Sequence, residues 1–358
     1  MSSETLWRNH SCSLAVCTPR DENWPEPRTG NHKGCPYDRL AGAIFGGIMS
    51  REELKKLIVG PIGAVSTPFD EDLEVDLGAM REMVQMMMDA GVRNGRGVIK
   101  IASALGEGPM LRETEWPALL RTAVNAAGGK VPIMFGIHDK DTRWAIDQAR
   151  RAQDLGAVAI QVTPPIYNIP TQQDMYDYFY DLSNAIDIGI MIYHTTWMPG
   201  GSIETDTFLR MADIDNVVAV KWGGSTEGVY EDMTKFVDIF NVIDNSANPV
   251  GCAELGGHGY VQTTLDVYPQ HDLRVWELIQ EKRYDEARTL YHSVYDDISA
   301  MYEKVARRTG GQAVVFKGLM SIMGHHTGSP RPPSKGLNDE EMAELREKVA
   351  GWGWPVKG

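Results

Sequence analysis

Cysteine is scarce in this chain, and its four copies, Cys12, Cys17, Cys35 and Cys252, form no Cys-x-x-Cys pair. Three of them share the N-terminal stretch with His10 and His32, yet the spacing fits no zinc pattern. A disulfide framework and a metal centre are therefore not expected, and reduced thiols in a cytoplasmic protein are. Long hydrophobic runs are missing too. The longest, Leu40 to Met49, is broken by glycine and falls far short of the roughly 20 apolar residues of a membrane helix. Positive charge is in deficit: 35 Lys and Arg against 49 Asp and Glu leave a net −14. No basic stripe interleaved with aromatics occurs, so nucleic acid is not an expected partner. Tandem repeats, low-complexity tracts and a secretory leader are likewise absent from the pattern.

What is present is ordinary for a globular chain: 358 residues, 42% hydrophobic and 23% charged. Residues 1–50 carry Pro19, Pro25, Pro27 and Pro36 with no helical or alternating period, and read as a loosely packed extension. Ser50-Arg51-Glu52-Glu53 is a capping box that opens a helix. From Ile58 onward, short β-branched runs alternate with amphipathic segments. The expected strands are 62–66, 97–101, 131–135, 157–162, 188–193, 217–221, 239–243 and 259–263. Helices are expected between them, the sixth over Gly228 to Val237. Eight such units in a little over 200 residues predict an α/β fold, a (β/α)8 TIM barrel over 51–270, with a C-terminal helical region over 271–358.

The stretch Asn216 to Ser225 suggests the chemistry. Val217-Val218-Ala219-Val220 is a run buried on both faces of a parallel sheet, and it ends at Lys221. A lysine at the mouth of such a strand is desolvated, which favours the neutral amine that attacks carbonyls. The same strand-end rule selects Ser103-Ala104-Leu105-Gly106-Glu107 after the second strand, Tyr167 after the fourth, and Tyr193-His194 at the fifth. Tyr193 is placed to relay protons, and the Ser103–Glu107 turn offers backbone N–H groups to a carboxylate.

Pro61-Ile62-Gly63 through Thr67-Pro68-Phe69, Leu105-Gly106-Glu107, Tyr167-Asn168-Ile169-Pro170-Thr171, Tyr193, Val220-Lys221 and Gly256-Gly257-His258-Gly259 occur in one order. Together they resemble the dihydrodipicolinate synthase / N-acetylneuraminate lyase family of class I aldolases. The resemblance implies a Schiff-base role for Lys221 and a proton relay at Tyr193. It places the carboxylate loop on Ser103 to Glu107, and implies that the segment around Tyr167 reaches a neighbouring subunit's site in a dimer of dimers. It implies no metal or diffusible cofactor, because a covalent lysine imine with the substrate is the electron sink.

Departures from the family pattern narrow the reaction. The loop threonines are replaced by Ala104 and Leu105, and the arginine for a second carboxylate is replaced by Met198. Leu105, Trp197, Met198 and Trp222 are expected to make an apolar acceptor pocket, with His194 standing in for a lost hydroxyl and Val261 contributing from the eighth strand. The expected function is a Schiff-base aldolase or lyase acting on pyruvate or another 2-oxo acid, with an aromatic or apolar aldehyde as partner. A 2-keto-3-deoxy sugar acid dehydratase and a non-catalytic oxo-acid-binding paralogue are the alternatives.

Overall fold

The computed structural model describes residues 49–138, 140–198 and 200–357. The expected N-terminal extension lies almost wholly outside the described residues. Helix α1 (Arg51–Leu57) starts where Ser50 and Glu53 cap each other reciprocally. Eight parallel strands then close on themselves in sequence order. They are β1 (Gly60–Ala64), β2 (Val98–Ile101), β3 (Ile133–Ile137), β4 (Ala159–Val162), β5 (Gly189–Tyr193), β6 (Val217–Trp222), β7 (Asn241–Asp244) and β8 (Gly259–Val261). Between them run α2 (Leu77–Asp89), α3 (Trp116–Ala127), α4 (Thr142–Asp154), α5 (Gln172–Ser183), α6 (Thr205–Arg210) and α7 (Pro249–Glu254). After β8 come α8 (Thr264–Val267), α9 (Pro269–Gln280), α10 (Tyr284–Ala306), α11 (Val314–Ile322) and α12 (Asp339–Gly351). No described helix is long and apolar enough to cross a membrane.

One expected element changes type. The connection from β6 to β7 holds a six-residue 3-10 segment, Tyr230–Lys235, in place of a longer α-helix over 228–237. Gly228 turns at φ +79°, and Phe236 leaves helical geometry at φ −137°. The apolar residues here, Met233, Phe236 and Phe240, still pack inward. Tertiary burial is met by two short turns where the spacing suggested one helix.

Strand register sorts the barrel interior into layers. Each step to the next strand climbs one residue, so alternate strands contribute side chains to one level. The lowest levels are apolar: Val98, Ala159 and Ala219 with Gly259, then Ile62, Met134, Met191 and Ile243. All but Gly259 share one buried cluster with Leu54, Leu57 and Ile58 of α1 and its C-terminal turn. Helix α1 thereby stoppers the N-terminal end of the barrel. Asn241 of β7 ties it in place, donating its amide to the carbonyls of Lys55 and Ile58. The next level is polar, comprising Lys100, Gln161 and Lys221 with Val261. Above it stand Ala64, Gly136, Tyr193 and Asn245. The chain after β2 crosses over Gly136, where an added Cβ would meet the Ala102 carbonyl oxygen at 2.5 Å.

Outside the strands, α2 buries Met80, Met83, Val84 and Met87 on one helical face. The C-terminal helices continue that core: Val294, Ile298, Met301 and Val305 of α10 join the same cluster as the barrel-facing helices. Asn338 and Glu341 cap α12 reciprocally, and Glu341 also receives the Arg308 guanidinium.

Candidate active site

A cavity of about 320 Å³ opens at the C-terminal ends of the strands. Its floor is the polar layer. Lys221 enters from β6, 5% exposed, and its register partner on β5 is Tyr193. The Lys221 Nζ lies 3.6 Å from the centre of the Tyr193 ring. No carboxylate lies within ion-pair distance of this amine among the described residues. Burial, and after it the nearby Lys100 amine, hold Lys221 well below the usual lysine range. The Tyr193 phenol is pushed up to about 12 by burial and hydrogen-bonds the Asn245 side chain. Burial favours the neutral form of both groups, and a neutral amine beside a protonated phenol is the pair that carbonyl capture requires.

The turn after β2 divides in two. Ser103, Ala104 and Leu105 line the cavity, and the amides of Ala104 and Leu105 have no acceptor among the described residues. Gly106 and Glu107 do not line it. Gly106 packs against the segment that follows β1, its carbonyl accepting from the Thr67 hydroxyl at 2.5 Å. The Glu107 side chain turns away from the cavity to the C-terminal segment, 2.8 Å from Lys317 Nζ and accepting from the Arg331 amide. Glu107 is therefore a buried anchor of the turn and not a substrate contact.

Two further expected contacts face the wrong way. His194 follows the inward Tyr193 and so points outward, as alternation along a strand demands. Its Nε2 meets the Gly224 carbonyl at 2.9 Å, its Nδ1 accepts from the Ile203 amide, and burial lowers it to about 4. With both nitrogens engaged outside the barrel, it cannot replace a hydroxyl in the cavity. Trp222 follows the inward Lys221 and stacks on His194 at 5.1 Å, its indole N–H donating to the Tyr230 carbonyl. Met198 is 37% exposed beyond the cavity lining, whereas Trp197 lines it and meets the Tyr193 ring edge-on at 5.9 Å. Val261 lines it as expected from β8. Tyr167 is 89% exposed on the turn Ile166–Asn168, away from its own chain's cavity.

Several lining residues went unread in the sequence. Lys100 is one, although it interrupts an apolar run as Lys221 does. A second group comes from α10, namely Tyr291, Tyr295, Ile298 and Tyr302, with Phe316 of α11 beside them. Their three- and four-residue spacing marks one helix face, but nothing local says that the face roofs a cavity.

The sequence pattern of the dihydrodipicolinate synthetase family matches residues 58–351. A 4-hydroxy-tetrahydrodipicolinate synthase of Chlorobaculum parvum is 28% identical over 302 residues, covering 82% of this chain and 97% of that protein. One from Nitrosospira multiformis is 33% identical over 215 residues, 60% of this chain and 70% of that protein. Among solved structures, dihydrodipicolinate synthase from Aquifex aeolicus superposes with a TM-score of 0.74 at 24% identity, covering 84% of this chain and all of that one. YagE from E. coli K12, a prophage protein of the dihydrodipicolinic acid synthase family solved with pyruvate, gives 0.74 at 20% identity, covering 84% of this chain and all of that one. The sequence match spans the whole barrel and most of the helical tail, and the chain belongs to the dihydrodipicolinate synthetase family.

Proposed function

We propose that this protein is a Schiff-base lyase or aldolase acting on pyruvate or a larger 2-oxo acid that contains it. The observation that carries the reading is the buried Lys221 amine, inward on β6, without a carboxylate partner among the described residues and 3.6 Å from the Tyr193 ring centre in the cavity. In the proposed reaction the amine attacks the C2 carbonyl, and the carbinolamine loses water to give an iminium. The iminium takes up the electron pair of the adjacent breaking C–C bond, giving an enamine, while the aldehyde departs. Protonation of the enamine and hydrolysis of the imine return pyruvate and free Lys221; condensation is the reverse. Tyr193 moves the proton at the carbinolamine and at the departing oxygen. Because the imine is the electron sink, the reading invokes no metal or diffusible cofactor.

The phenols of Tyr291, Tyr295 and Tyr302 with Trp197, Leu105 and Phe316 support an aromatic or apolar aldehyde as the partner. No arginine lines the cavity among the described residues, which leaves a second carboxylate on the acceptor without a fork-shaped partner there. Exposed Tyr167 and Ile169 support a homo-oligomer in which another copy covers this turn. A dehydratase would share every step up to the iminium and is separated by its products. The direct test is borohydride reduction in the presence of pyruvate, followed by peptide mass mapping. The expected adduct lies on the peptide carrying Lys221; full activity with that lysine unmodified would overturn the mechanism.

A further inference from the structure

On a chain of net charge −14, the described residues that line the cavity include two lysines and no Asp, Glu, Arg or His. The second lysine, Lys100, is fully buried on β2, at the level of Lys221. Its Nζ donates to one neutral acceptor, Gln161 Oε1 at 2.7 Å, and the Gln161 amide nitrogen is buried without a partner. Lys100 forms no ion pair among the described residues. Of the buried carboxylates, Glu107 pairs with Lys317, Asp244 receives Tyr230, Ser246 and Asn248, and Asp266 accepts from the Ser66 amide through one oxygen, its other being buried without a partner. A lysine in the dry interior is unfavourable unless an anion joins it. Directly beyond it in the chain stand the two cavity-lining amides without acceptors, those of Ala104 and Leu105.

We propose that Lys100 is the cation that receives the carboxylate of the 2-oxo acid, together with the Ala104 and Leu105 amides. This rests on the Schiff-base reading of Lys221 and adds a specificity determinant to it. The C1 carboxylate adjoins the carbonyl that Lys221 captures, so one amine holds the acid while the other forms the imine. Lys100 takes up a proton as the anion enters, because burial brings its amine to about 7 in the empty cavity. The site then selects 2-oxo acids over neutral ketones.

The test is trapping with borohydride at graded concentrations of pyruvate and of methyl pyruvate, which presents the same ketone without the charge. Lys100→Met is expected to raise the pyruvate concentration for half-maximal trapping on the order of 10- to 100-fold. Methyl pyruvate trapping on Lys221 should shift far less than pyruvate trapping, since the lost influence of Lys100 on the Lys221 amine acts on both ketones alike, and Lys100→Arg should recover part of the pyruvate response. Trapping of the two ketones falling together in Lys100→Met, and returning at higher pH, would overturn the proposal and make Lys100 only a regulator of the Lys221 charge. An adduct on Lys100 itself would overturn it as well. In wild-type protein, no adduct with either ketone would defeat the Schiff-base reading first. Should Lys100→Met fold poorly, proton uptake on pyruvate binding to wild-type protein, measured in buffers of different ionisation enthalpy, decides the matter. An uptake near zero at pH 8 would overturn the proposal.

Discussion

A phenol held protonated next to a neutral amine sets the first expectation at the scale of single residues. Tyr193→Phe keeps the ring that Lys221 lies against and removes only the hydroxyl that bonds Asn245. Turnover should fall about 100-fold or more while borohydride still traps pyruvate on Lys221, since proton relay is lost and the nucleophile is kept. Stopped product release with intact trapping is the signature; unchanged kcat would remove Tyr193 from the relay. Lys100 gives a second expectation, this time in stability. Its folded value of about 7 lies below its ordinary 10.5, so between these pH values the unfolded chain binds more protons. Stability therefore climbs as pH rises through that window, and the charge penalty is fully present below it. Lys100→Met should be the more stable protein at pH 6 by on the order of a few kcal/mol, with the advantage fading towards pH 10.5. Thermal unfolding across pH checks this, and a pH-independent difference would contradict it. The sequence shows both lysines, and each is the penultimate residue of its strand. The aliphatic run stops at Lys221 but continues through Ile101 after Lys100, so local pattern marks the first, and only alternation within the closed barrel places the second at the barrel centre.

Elements carry the next lesson, because alternation also explains the misplaced contacts. His194 and Trp222 each follow an inward residue, so the period of two sends them to the helix side, where they stack on one another. Proximity in sequence to a functional residue on a strand thus argues against sharing its pocket. The turn holding Glu107 is subject to a different, non-local choice. Its partner Lys317 is 210 residues away, a pairing that no local pattern discloses. Strand identities are legible for the opposite reason: runs such as Val217 to Val220 are buried on both faces and carry their own signal. Helix α1 is legible through its cap, and its role as a stopper gives an expectation. Leu54→Ala, at a side chain 1% exposed against the lowest barrel layers, should cost about 2–5 kcal/mol in denaturant unfolding. A loss under 1 kcal/mol would mean that the barrel end collapses around the gap.

For the whole molecule, strand order follows from the alternating pattern, since parallel strands joined by right-handed crossovers have few other closures. The roof of the cavity does not follow. It is built by α10 and α11, folded back from the tail over strands whose lining residues precede theirs by 30 residues (Val261 to Tyr291) to 252 (Ala64 to Phe316). Composition can bound neither the depth of that cavity nor its phenol-rich wall. Subunit assembly belongs to this scale too. Tyr167 and Ile169 are 89% and 68% exposed on one turn, an apolar projection left open among the described residues. Tyr167→Asp with Ile169→Asp should convert the proposed multi-subunit species into a smaller one in analytical ultracentrifugation, with the fold retained by circular dichroism. Wild-type protein sedimenting as a single chain would refute the assembly.

The stopper formed by α1 also bears on the order of events. With the far end sealed, everything enters and leaves through the mouth beneath the α10 phenols. In the cleavage direction of the proposed reaction, the aldehyde lies nearer that exit and carries no bond to the protein. The three-carbon fragment is still tethered below it. The aldehyde must therefore depart first and pyruvate last, and for synthesis the queue reverses.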